Sequence, residues 1–120
     1  MNGRDPSLYL THVLESIDLA GASVEGVDFR RFNESQQLQD AVIRRIESIG
    51  EAVKNLPAEI RDAAPGVPWR RIASMRDKVV HDTMGVDIEL VWTVVHRDLP
   101  ELALEVRGLL AQQQRDEGPA

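Results

Sequence analysis

Leu38, Val42, Ile46, Ile49, Val53 and Leu56 recur at spacings of three and four residues. That is the period of one helical face and not of a strand, in which alternate residues would be apolar. A seam this long must be covered by other helices lying along it at a shallow angle. The remaining chain has the composition to supply them: only 4% of residues are aromatic, and Leu, Val, Ile and Ala make up most of the apolar set, which suits helix packing better than a sandwich or barrel. The expected class is therefore all-α, an antiparallel bundle of four to five helices. At 120 residues the chain fits one domain with a real core, taken here as residues 1–111. Residues 112–120 lack periodicity and end in Gly-Pro-Ala, so a disordered tail is expected there.

Local signals place the helices. Asp5-Pro6-Ser7 opens the first, with an acceptor at the cap and proline where its missing N–H costs nothing. Leu10, Val13, Leu14, Ile17 and Ala20 line one face of it, and Gly21 stands where a left-handed cap would end it. Phe29 and Phe32 anchor a turn, after which Asn33 with Gln36 is expected to cap the seam helix. Pro57 stops that helix, and Pro65-Gly66-Val67-Pro68 forces a loop. A helix is then expected from Trp69 to about Gly85. Asp87 caps a further one carrying Ile88, Val91, Trp92 and Val95. His96 and Asp98 mark a bend, and Pro100 restarts or kinks the chain before a last stripe of Leu99, Leu102, Val106, Leu109 and Leu110.

Several function classes are excluded by what the sequence lacks. With no cysteine there is neither a disulfide nor a thiolate metal site, as suits a reducing cytoplasm. The N-terminus shows no charged lead followed by an apolar run, and no apolar stretch approaches the eighteen residues of a membrane span. Twenty acidic against fourteen basic residues give a net charge of −6, which argues against a broad basic surface for duplex nucleic acid. Any RNA contact must be local, and Arg44, Arg45, Arg70, Arg71 and Arg76 are the candidates. His12, His81 and His96 show no ligand spacing and no paired carboxylates accompany them, so neither a metal nor another cofactor is expected.

Chemistry is best sought between Trp69 and Asp87, WRRIASMRDKVVHDTMGVD. On a continuous helix Arg76 falls within the stripe of Trp69, Ile72, Met75, Val79 and Val80. Either it runs its stem along the core and carries its head to water or to a carboxylate on a neighbouring helix, or it is held to present a fixed fork of donors to an anion such as phosphate. Asp77 and His81, four apart, would share a face, where the carboxylate can orient the imidazole.

Arg76, the polar Asp77 directly after it and His81 five positions beyond the arginine resemble the signature of the HepT-like toxins of the HEPN superfamily. So do RRIESIGEAVKNLP (44–57), VPWRRIASMRD and VDIELVWTVVHRDLPEL, and the likeness spans most of the chain. It implies a metal-independent endoribonuclease working as a homodimer, with the arginine and histidine of both protomers in one cleft. It also implies a nucleotidyltransferase antitoxin as partner and RNA as substrate, with no membrane involved. In such a toxin Arg76 and His81 are catalytic. The antitoxin attaches AMP to a Tyr two residues after the histidine; Thr83 stands at that position here, which makes it a candidate for modification and puts control by that route in question. An alternative reading is a catalytically inactive helical module that only binds the nucleotidyltransferase. On an ideal helix Arg76 and His81 would point about 140° apart. Reach of the long arginine, distortion of the helix before Gly85, or supply of one partner by a facing protomer would each resolve this.

Overall fold

A computed structural model describes the backbone of residues 5–81 and 85–116, and the side chains of residues 5–80 and 85–115. It is an all-α bundle organised on the expected seam helix. That helix, α3 (Gln36–Lys54), packs on α1 (Pro6–Ser23), α2 (Phe29–Glu34), α5 (Trp69–Ala73), α6 (Met75–Val79) and α7 (Ile88–Thr93). Val42, Ile46, Ile49 and Val53 of the seam, with Leu56 beyond it, share one buried core with Leu10, Val13 and Ile17 of α1 and with Val106 and Leu109 of α8 (Leu99–Asp116). Leu38 packs at its edge. Each fully buried branched aliphatic side chain stabilises the fold by about 1.5–3 kcal/mol.

Caps decide where these helices begin. Asp5 accepts from the Ser7 N–H at 3.0 Å, Asp28 from that of Arg31 at 2.8 Å, and Asp87 from that of Leu90 at 3.1 Å. The seam helix is capped by Ser35, whose Oγ accepts from the Leu38 N–H at 3.1 Å; Asn33, expected there, lies inside α2. Serine wins because it sits three residues before an amide that needs an acceptor. The α2–α3 junction is then tied by buried Gln39, whose Nε2 donates to the carbonyls of Phe32 and Asn33 at 3.0 and 3.1 Å. Gly21 does not end α1, which continues to Ser23; the left-handed residue is Gly26, with φ 73°. Ala22 and Ser23 tolerate helical geometry, and Ser23 bonds back to the Leu19 carbonyl.

The largest departure from expectation falls in the motif. No single helix runs from Trp69 to Gly85. The helical turns break at Ser74 (φ −105°), whose Oγ bonds back to the Arg70 carbonyl at 3.1 Å, and α6 ends at Val79. β1 (Val80–His81) then pairs antiparallel with β2 (Gly85–Val86), Val80 opposite Val86 and His81 opposite Gly85. The Asp87 N–H closes this corner on the Val79 carbonyl at 2.7 Å. Adjacent β-branched valines favour extended backbone. Gly85 does take a left-handed φ of 79°, but in a hairpin and not at a helix end.

A second difference concerns Pro100. The chain does not bend at His96 but passes from α7 through one π-helical turn (Val94–Asp98) directly into α8. Proline cannot donate to the carbonyl four residues back and its ring crowds that carbonyl. The wider turn, in which the Leu99 N–H reaches back to Val94, accommodates both problems without ending the helix. α8 also runs to Asp116, well past residue 111, so residues 112–116 are helical and not a disordered tail; residues 117–120 lie outside those described.

Candidate active site

Arg76 is carried by a five-residue helix fixed from both sides. Before it, Trp69 is buried and its Nε1 donates to the carbonyls of Arg61 and Ala64 at 3.2 and 3.1 Å, tying α5 to the end of α4 (Ala58–Ala63). Met75 and Val79 are buried on either side of Arg76. Across from it, α3 comes so close that a Cβ on Gly50 would lie 3.0 Å from the Ala73 carbonyl oxygen. Gly50 thus permits the approach that brings α3 within reach of the arginine.

What α3 brings is Glu47. Its Oε2 lies 3.6 Å from Arg76 Nε, and Asp77 Oδ1 lies 3.7 Å from Arg76 Nη1. The Arg76 side chain remains 42% exposed, yet its Nε is buried and makes no hydrogen bond. Of the two expectations for Arg76, the neighbouring-helix carboxylate is present. The guanidinium is also half open, so it retains the capacity to meet an anion. Glu47 was not among the residues singled out in the sequence. It stands in the RRIESIGEA string, but only the register of α3 on α6 shows that it faces Arg76.

The other expected site residues fare differently. His81 stands two residues beyond the end of α6, in β1, so the helical spacing from which a shared face with Asp77 was expected does not apply. The angle of about 140° calculated for a continuous helix does not apply either, because α6 ends before His81. The His81 side chain and the whole of Thr83 lie outside the described residues. Asp77 is exposed and pairs with Arg76.

Of the five arginines named as candidates for a local RNA contact, Arg44 and Arg71 line different cavities. Arg44 lines a shallow groove of about 570 Å³ between α1 and α3, with Leu8, Tyr9, His12, Glu47 and Ser48. Arg71 lines a separate cavity of about 490 Å³ between the α5–α6 region and α8, with Lys78, Met75, Leu99 and Leu102. Arg76 contributes to neither lining, although Glu47 joins it to the first. His96 stacks on Trp92 with ring centroids 3.9 Å apart and its Nδ1 2.9 Å from the Trp92 carbonyl oxygen. Among the described residues no group of three His, Cys, Asp or Glu side chains converges to hold a metal ion, and no helix is long and apolar enough to cross a membrane.

The fold is a helical bundle with a partly exposed arginine and a histidine five residues on, and comparison with known proteins gives the family. The model for the Ribonuclease HepT-like family matches residues 13–109, and the chain belongs to that family. It is 44% identical, over 91% of its length, to a Methanocaldococcus jannaschii protein whose name joins a gamma-glutamylcyclotransferase to a candidate RNase; there it spans only 49% of the relative. A Caldanaerobacter subterraneus protein named as a candidate RNase is 38% identical over 92% of this chain and 98% of its own. A Thermococcus cleftensis protein named "Probable ribonuclease HepT" is 40% identical over 78% of this chain and 86% of its own. No solved structure matches the chain.

Proposed function

We propose that this chain is the ribonuclease toxin of a toxin–antitoxin pair, a metal-independent endoribonuclease in which Arg76 and His81 act on RNA in the cytoplasm. The observation that carries the reading is Arg76 itself, a guanidinium flanked by carboxylates on a side chain that stays partly exposed, in a chain of the HepT-like family. His81, as a neutral imidazole, takes the proton from a ribose 2′-OH. The oxygen attacks the adjacent phosphorus and the 5′-oxygen leaves with a proton, so the products carry a 2′,3′-cyclic phosphate and a 5′-hydroxyl. Arg76 neutralises charge building on the phosphoryl oxygens, an effect worth on the order of 3 kcal/mol per well-placed donor.

Two protomers about a two-fold axis beside α6 and the β1–β2 hairpin would form a composite cleft, with two arginines and two histidines concentrating a phosphate despite the net charge of −6. Neutralisation falls to a nucleotidyltransferase antitoxin, acting by binding or by modifying Thr83. The second reading, an inactive module that binds the same partner, is favoured by the threonine in place of a tyrosine.

Expression in cells separates the two. The toxin arrests growth, and His81→Ala relieves the arrest while melting at the wild-type temperature; the inactive module is harmless with or without the substitution. Mixing Arg76→Ala with His81→Ala protein tests the composite cleft. Random reassortment leaves one intact site in each mixed dimer and restores roughly a quarter of wild-type cleavage, whereas sites confined to one protomer restore none.

A further inference from the structure

We infer that Glu47, on α3, is the positioning residue of Arg76: its carboxylate fixes the guanidinium at Nε and turns the outward edge toward the substrate phosphate. The inference rests on the ribonuclease reading for its consequence in catalysis, and on geometry alone for the pairing.

Three observations carry it. Arg76 Nε is buried without a hydrogen bond, a state a polar donor does not hold without cost. The Glu47 Oε2 is 3.6 Å away, so a closure of a few tenths of an ångström satisfies that donor. The side chain as a whole is nevertheless 42% exposed, and Nε is the guanidinium nitrogen found buried and unbonded, so one edge of a rigid plane is buried while its terminal nitrogens are not. Anchoring a planar fork on one side sets the direction of the other, and this separates arginine from lysine at such a site. Asp77 approaches Nη1 at 3.7 Å from the same helix as Arg76. It is exposed and adjacent in sequence, so it moves with the arginine and cannot fix it relative to the core. Glu47 can, because α3 is the central helix and Gly50, three residues on, sets its separation from Ala73.

The same geometry argues against Glu47 as an inhibitory lock. A lock would occupy the donors that the phosphate needs, but a buried Nε is one that no phosphate reaches. Its removal therefore lowers turnover and does not release it.

The test uses the full chain, labelled with ¹⁵N, and reads the Arg76 Nε–H resonance, assigned by its absence in Arg76→Lys. In wild type that proton exchanges slowly with water; in Glu47→Ala exchange accelerates roughly tenfold or more, the scale of losing a charge-assisted bond, and Glu47→Gln, which keeps an acceptor, lies between. Glu47 is itself half exposed, so both variants melt close to wild type. In cleavage, Glu47→Ala lowers kcat roughly tenfold or more with little change in KM, and Glu47→Gln recovers part of the loss. Unchanged Nε–H exchange in Glu47→Ala overturns the inference, as does undiminished or raised cleavage by that variant. If wild type and Arg76→Ala alike cleave no RNA while the Nε–H proton still depends on Glu47, the ribonuclease reading fails and the positioning stands.

Discussion

Replacing Gly50 by alanine should destabilise the protein, although the same substitution inside a helix ordinarily does the opposite. Alanine in a helix interior is favoured over glycine by about 0.5–1 kcal/mol. At Gly50 the new Cβ would stand 3.0 Å from the Ala73 carbonyl oxygen, against 3.4 Å where ordinary contact begins, so α3 and α5 must part by about 0.4 Å. Forcing an extra methyl into a packed helix contact costs about 1–3 kcal/mol. The net loss is then roughly 1 kcal/mol. Gly108 supplies the control: it is exposed within α8 and a Cβ there meets nothing within 4 Å, so Gly108→Ala gains the full helical preference. Urea unfolding of the two variants beside wild type should place their midpoints on opposite sides of it, separated by roughly 1 M at the slopes usual for a domain of this size. The contact also sets the reach from α3 to Arg76, so Gly50→Ala should cleave RNA more slowly than Gly108→Ala. A Gly50→Ala protein stabilised as much as Gly108→Ala would refute the close approach of α3 and α5, and with it the framework assigned to Arg76.

Three further outcomes follow from particular contacts. Trp69→Phe keeps the apolar bulk but removes the indole N–H that the Arg61 and Ala64 carbonyls share, leaving each with one backbone donor, which should lower the unfolding free energy by about 1 kcal/mol in urea titration. Gln39→Leu removes the donor shared by the Phe32 and Asn33 carbonyls; it should cost about 1–3 kcal/mol, and hydrogen exchange in α2 should accelerate before that in α3. The Asp5 carboxyl is held below its ordinary value of 3.8 by the backbone N–H and then the hydroxyl of Ser7. Its contribution to α1 is therefore complete above the unfolded-state value and lost as pH falls through the lower folded one. Acid titration of Asp5→Ala should show a shallower loss of stability below about pH 4 than wild type.

The seam from Leu38 to Leu56 and the caps at Asp5 and Asp87 were readable from the sequence because each is a local pattern with a local cause. The motif was harder. Its residues were identifiable, but helical periodicity carried the helix past Val79, where two valines and a left-handed Gly85 make a hairpin. Periodicity also concealed the π turn before Pro100, since Val91, Val95, Leu99, Leu102, Val106 and Leu109 keep spacings of three and four across it. Glu47 could not have been found from spacing: it lies 29 positions before Arg76, and only the crossing of α3 over α6 makes them neighbours. Of the arginines named as RNA contacts, Arg44 and Arg71 line different cavities, and Glu47, which lines the first beside Arg44, also pairs with Arg76.

The proposed reaction is the cutting of RNA by Arg76 and His81 without a metal ion. It is tested most directly by incubating purified protein with total cellular RNA in EDTA, with Arg76→Ala and His81→Ala alongside after their folds are checked by melting. Discrete fragments ending in 2′,3′-cyclic phosphate are expected from the wild type and none from either variant. Cleavage abolished by EDTA, or fragments that persist in the His81→Ala protein, would contradict it.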